Sequence, residues 1–160
     1  MKKISLAFCL TLLSSLFCPA QVSPLQFNKN GEFKIVQFTD IHFQYHNPAS
    51  AIALKRINEV LDAERPDLIV FTGDVVYAPP ADTAMRAVLD CASSRKIPFV
   101  VTFGNHDNEQ GKTRAELYDI IRSMPYNIQP DRGSVESPDY VLTVKSSDGK
   151  KDASVLYCLD

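Results

Sequence analysis

Three apolar β-like runs recur along the chain, Glu32–Phe38, Asp67–Thr72 and Ile97–Phe103, and each breaks off at a small polar cluster. The clusters are Asp40-Ile41-His42, Gly73-Asp74 and Gly104-Asn105-His106-Asp107. Between the runs lie segments with helical periodicity. Ser50 is placed to cap a helix whose apolar residues Ala53, Ile57, Val60, Leu61 and Ala63 keep mostly to one face, and Arg65-Pro66 ends it, because the residue before proline disfavours helical geometry. Met85, Val88, Leu89 and Ala92 mark a second helix. Thr113 with Glu116 three residues later forms a capping box that opens a third, through Leu117, Ile120, Ile121 and Met124. Strand, helix, strand, helix, strand, helix specifies a parallel sheet covered by helices. The near-continuous apolar character of DLIVFT reads as a strand buried on both faces.

The flanks add antiparallel character. Leu25–Phe27 and Glu32–Phe38, joined by Asn28-Lys29-Asn30-Gly31, read as a hairpin, since those linking residues tolerate positive φ. From Asp139 onward the period is two. Tyr140–Ser146, an Asp148-Gly149 turn and Ala153–Leu159 read as a second hairpin. The fold class is therefore α/β.

Residues 1–20 read as a secretory signal: Lys2 and Lys3, an apolar stretch from Ile4 to Phe17, then Cys18-Pro19-Ala20. The stretch is too short for a bilayer span of roughly 20 residues, and bulky Phe17 before Cys18 is a poor fit to a lipoprotein. A secreted or periplasmic protein is expected, with no membrane span once the signal is cleaved. Removing Lys2 and Lys3 from the 17 basic residues leaves 15 against 19 acidic ones, a net charge of −4. That balance argues against a nucleic-acid footprint, which needs a clustered basic face. Cys9 and Cys18 leave with the signal, and Cys91 and Cys158, both in apolar patterns, read as buried free thiols.

In a parallel α/β sheet the carboxyl edge is where loops converge and ligands bind. Asp40 precedes Asp74 by 34 residues, and Asp74 precedes Asn105 by 31, about one strand–helix unit each time. The three clusters are thus expected at one locus, bringing together carboxylates, an imidazole and an amide oxygen. Crowded carboxylates repel and raise each other's pKa unless cations neutralise them. Mixed oxygen and imidazole donors suit Mn²⁺, Fe or Zn²⁺ better than Ca²⁺.

Asp-x-His, Gly-Asp and Gly-Asn-His-Asp, in this order and spacing over residues 33–108, resemble the signatures of the calcineurin-like metallophosphoesterases, which include the purple acid phosphatases. The resemblance implies a four-layer α/β/β/α sandwich, of which this chain supplies a mostly parallel first sheet, its helices and one antiparallel hairpin. It implies two metal ions, with Asp40 and His42 on the first, Asp74 bridging and Asn105 on the second. It further implies that His106 is no ligand but protonates the leaving oxygen of a small phosphate ester, with Asp107 orienting its ring. The chemistry would be attack by a hydroxide generated between the metals, with a general acid worth about 10²- to 10⁴-fold.

Tyr77 completes a Gly-Asp-x-x-Tyr similar to the purple acid phosphatase pattern, but that subgroup lacks the histidine found here at position 42, so Tyr77 is read as supporting the site or packing the loop. His46 reads as a solvated loop histidine. The family pattern continues with an isolated histidine and a Gly-His-x-His, whereas this chain has 3 histidines, the last at position 106. Residues 21–160 are accordingly expected to be the amino-terminal part of a longer phosphoesterase domain, inactive or weak alone. The alternative is a non-catalytic fragment that binds metal or phosphate, and a nuclease of the same superfamily is disfavoured by the acidic balance.

Overall fold

The computed structural model describes residues 22–160; the expected export signal, residues 1–20, lies outside them. Strand β1 (Ile35–Phe38) leads into α1 (Ser50–Glu64), then β2 (Leu68–Thr72), α2 (Ala81–Ser93), β3 (Phe99–Thr102), a 3₁₀ turn (Asp107–Glu109) and α3 (Arg114–Arg122). Strands β4 (Tyr140–Lys145) and β5 (Asp152–Cys158) follow. The first three strands form a parallel sheet in the order β1-β2-β3, with Ile35 opposite Leu68 and Ile69 opposite Phe99. Strands β4 and β5 form a separate antiparallel pair.

Alternation along the central strands sorts the two faces of the parallel sheet. Ile69, Phe71, Phe99 and Val101 point into the main core with Ile57 and Leu61 of α1, Met85, Val88 and Leu89 of α2, and Leu117 and Ile121 of α3. Leu68, Val70 and Val100 point the other way, onto Tyr140, Leu142, Val144, Leu156 and Cys158 of the hairpin. The Tyr140 hydroxyl donates to the Val101 carbonyl at 3.3 Å, fastening the two sheets together. The layers are helices, parallel sheet, hairpin. The outward face of the hairpin presents Val141, Val155 and Tyr157 to solvent.

The capping box forms as expected: Thr113 Oγ1 accepts from the Glu116 amide, and the Glu116 carboxylate accepts from the Thr113 amide at 2.9 Å. Cys91 and Cys158 are buried free thiols. Two expectations need correction. Ser50 does not cap α1; its hydroxyl accepts from the Gln44 amide, while Asn47 Oδ1 takes the Ala49 amide. Nor do Leu25–Phe27 and Glu32–Phe38 form a hairpin. The Asn28–Glu32 turn closes, but residues Leu25 and Phe27 exchange backbone hydrogen bonds with Lys145 at the end of β4. Backbone donors and acceptors need partners, and Lys145 at the end of β4 offers them.

Candidate metal centre

At the carboxyl edge the three loops after β1, β2 and β3 are stitched together before any side chain is considered. The Asp40 amide donates to the Gly73 carbonyl, and those of His42 and Phe43 donate to Asp74 and Val75, so the first loop continues alongside the second beyond the sheet proper. Asp40, His42 and Asp74 all hold positive φ, at 53°, 48° and 50°. Left-handed geometry at a non-glycine residue costs on the order of 1–2 kcal/mol and turns the side chain in a direction that a regular strand would not give. The two glycines are required by close approach. A Cβ at Gly73, where φ is +90°, would lie 2.5 Å from the Gly104 amide nitrogen, and one at Gly104 would overlap Asp74.

This backbone brings His42, Asp74 and His106 together, one candidate ligand atom of each lying within 4.8 Å of the others. Nε2 of His42 lies 3.4 Å from Asp74 Oδ2, yet it is buried and makes no hydrogen bond. A buried, unpartnered ring nitrogen is costly. Together with a carboxylate oxygen beside it, it is the kind of donor atom that a divalent cation satisfies, so the residues fit a metal. The other Asp74 oxygen, Oδ1, accepts from the His106 amide at 2.9 Å, tying the second motif to the third.

Two further expected ligands stand differently. Asp40 lies outside the cluster, its carboxylate accepting from the Thr39 hydroxyl at 2.6 Å. Asn105 sits on the turn between Gly104 and His106 and is exposed. Tyr77, also exposed, sets its ring edge-on to both imidazoles, with centroids 5.1 Å from His42 and 5.0 Å from His106. It walls the cluster on that side. His46 is exposed on its loop beside Tyr45.

The pairing of Asp107 with the His106 ring is not what the structure shows. Asp107 is buried, and both of its oxygens are taken by backbone amides. Oδ1 accepts from Val75 at 2.8 Å and Val76 at 3.1 Å; Oδ2 accepts from Asp74 at 3.0 Å and Gly104 at 2.9 Å. One carboxylate thus clamps the Gly-Asp loop to the Gly-Asn-His-Asp loop. Burial pushes its pKa up, and the four amides pull it down again in part. The His106 ring is held instead by Glu109, whose Oε2 lies 2.6 Å from Nδ1. That hydrogen bond, reinforced by the charge of Glu109, raises the imidazole above its ordinary pKa and favours the protonated ring. Glu109 escaped the sequence reading because only the 3₁₀ turn brings a residue three positions on back to the ring.

A family model described as calcineurin-like phosphoesterase matches residues 33–150. The chain is 36% identical over 130 residues to the probable inactive purple acid phosphatase 29 of Arabidopsis thaliana, covering 71% of this chain and 33% of that protein. It is 32% identical over 121 residues to Phosphatase DCR2 of Saccharomyces cerevisiae, covering 65% of this chain and 21% of that protein. Over 78 residues it is 36% identical to the uncharacterized metallophosphoesterase YkuE of Bacillus subtilis, covering 48% of this chain and 27% of that protein. The matched region therefore spans a third or less of each of these relatives.

Proposed function

The chain belongs to the calcineurin-like phosphoesterase family, and from that premise we propose that it carries a metal-dependent centre for hydrolysing small phosphate esters, with low turnover in the 160-residue chain. The observation that supports this most is the meeting of His42, Asp74 and His106 around a buried, unpartnered imidazole nitrogen. In this reading His42 and Asp74 hold cations of the Mn, Fe or Zn type. Asp40, on the loop of His42, and Asn105, on the loop of His106, would complete the donors for two cations. Bound cations would neutralise phosphate charge and lower the pKa of an attacking water.

The chain's own residues account for the rest. His106, its ring favoured in the protonated form, delivers a proton to the departing ester oxygen. Asp107 keeps the loops of Asp74 and His106 at fixed separation. Tyr77 gives the ester an aromatic wall to lie against. Low turnover follows from the donor count: 3 histidines in the chain, one of them assigned to proton transfer, leave the second cation weakly held. The Arabidopsis relative is called a probable inactive purple acid phosphatase, which favours the second reading, a centre that binds metal or phosphate without turnover. Export from the cytoplasm rests on residues 1–20 alone. Among the described residues no helix is long and apolar enough to cross a membrane.

The test is hydrolysis of p-nitrophenyl phosphate with added Mn²⁺, together with the electron paramagnetic resonance signal of bound Mn²⁺. A slow, chelator-sensitive rate that Asp74→Asn removes, and that His106→Ala lowers by about 10²-fold or more, is the expected result. Mn²⁺ binding without hydrolysis selects the second reading. Binding or hydrolysis indifferent to Asp74→Asn and to His42→Ala overturns both.

A further inference from the structure

We propose that Glu109 is a positioning residue: its carboxylate accepts the Nδ1–H of His106, fixing the tautomer of that ring so that Nε2 is the nitrogen left to act on a ligand at the cluster. Four observations carry this. The contact is short, with Oε2 2.6 Å from Nδ1. The intervening backbone is tight, because the Glu109 amide and the Gln110 side-chain amide both donate to the His106 carbonyl, at 3.2 and 3.3 Å. No nearer carboxylate competes. Both Asp107 oxygens are committed to backbone amides, and Asp74 Oδ1 takes the His106 backbone amide rather than its ring. Finally, the ring already has little room to turn, packed edge-on against His42 and Tyr77 with centroids 5.6 and 5.0 Å away.

The ordinary account of such a pair is an exposed ion pair three residues apart, which contributes little to stability. The proposal does not need it to. An imidazole has two chemically distinct nitrogens, and a hydrogen-bond acceptor at one decides which of them carries the proton when the ring is neutral. A rim carboxylate can therefore set the direction of proton delivery while adding almost nothing to the fold. The inference rests on the phosphoesterase reading for its purpose, but its physical content stands apart from it.

The experiment separates the two. Nitrogen-15 is placed in the histidines of the metal-free 160-residue chain, and long-range proton–nitrogen spectra are recorded at a pH where the His106 ring is neutral. The unaltered chain is expected to show Nδ1 carrying hydrogen and Nε2 bare. Glu109→Ala is expected to shift the ring toward the Nε2–H form that dominates unconstrained histidines in water, and Glu109→Gln, which keeps a carbonyl acceptor, to restore the original pattern. In the Mn²⁺-loaded chain Glu109→Ala is expected to lower kcat by about tenfold, the lower end of the effect of losing the outer partner of a metal-ligating histidine, with KM little changed and Gln restoring most of the loss. An Nε2–H ring in the unaltered chain, or a tautomer that ignores Glu109→Ala, overturns the proposal whatever the hydrolysis assay gives. Absence of hydrolysis with the expected tautomers intact counts against the phosphoesterase reading alone.

Discussion

At the residue scale, the side chain that most tightly organises the site is not one of the candidate ligands. Asp107 spends both oxygens on four amides drawn from two loops. Asp107→Asn keeps the shape but replaces one acceptor oxygen with an amide group that faces donors. Two of the four amides then lose their partner in a buried place, at about 1–3 kcal/mol each. A destabilisation of roughly 2–6 kcal/mol is expected, read as a lower urea midpoint with an unchanged slope. An unfolding free energy within about 0.5 kcal/mol of the unaltered chain would show that the clamp is dispensable. The family resemblance implied that Asp107 orients the His106 ring, whereas both of its oxygens are held by backbone amides. Side chains at adjacent positions of this turn diverge, and neither the four-amide grip nor the return of Glu109 to the ring leaves a mark in composition or periodicity. What was legible was that the three polar clusters share one edge; of the four ligands expected there, His42 and Asp74 lie in the cluster, together with His106. Three strand ends in consecutive parallel units can converge only at the carboxyl edge.

At the element scale, local signals were readable where the structure satisfied them locally. Thr113 and Glu116 spell a capping box, and α3 has one. Thr113→Ala is expected to cost about 1 kcal/mol, the usual worth of such a cap. The cap also carries a pH signature. The Thr113 amide, then Lys112 and the Thr113 hydroxyl, hold the Glu116 carboxyl below its ordinary pKa. A depressed carboxylate stabilises the fold above its unfolded pKa and loses that contribution as pH falls through the folded one. The effect of Glu116→Gln on the unfolding midpoint should therefore be present at neutral pH and fade below pH 4.5. An effect that does not vary between pH 7 and pH 3 would contradict the assignment. Other elements hid their partners. Leu25–Phe27 looks like a strand, but alternation says nothing about which strand it joins, and its hydrogen bonds go to Lys145, more than a hundred residues away. Ser50 failed as a cap because the turn at Gln44 claimed its hydroxyl, a tertiary contact that overrides a local preference.

At the scale of the whole molecule, the candidate ligands matter because each comes from a different loop of the parallel sheet: His42 after β1, Asp74 after β2 and His106 after β3. Those loops hold three non-glycine residues in left-handed geometry, Asp40, His42 and Asp74, and a buried ring nitrogen without a partner. This edge therefore carries a local cost, and a cation joining the loops should offset the part due to the unpartnered nitrogen. Binding to the native state alone raises stability by about 2.7 kcal/mol at a free concentration 100 times the dissociation constant. A Mn²⁺ titration followed by thermal unfolding is thus expected to raise the midpoint progressively in the unaltered chain. Asp74→Asn isolates the cause. Its carbonyl oxygen can still accept from the His106 amide, so the metal-free loop connection survives while the charge that a cation needs is gone. The variant's metal-free midpoint should stay near that of the unaltered chain, and its Mn²⁺-dependent rise should largely vanish. An equal rise in both proteins would place the stabilising ion elsewhere, and a fall in both would mean that Mn²⁺ prefers the unfolded chain. The response of the whole fold to one carboxylate is what distinguishes a metal centre built across three loops from three polar turns that happen to meet.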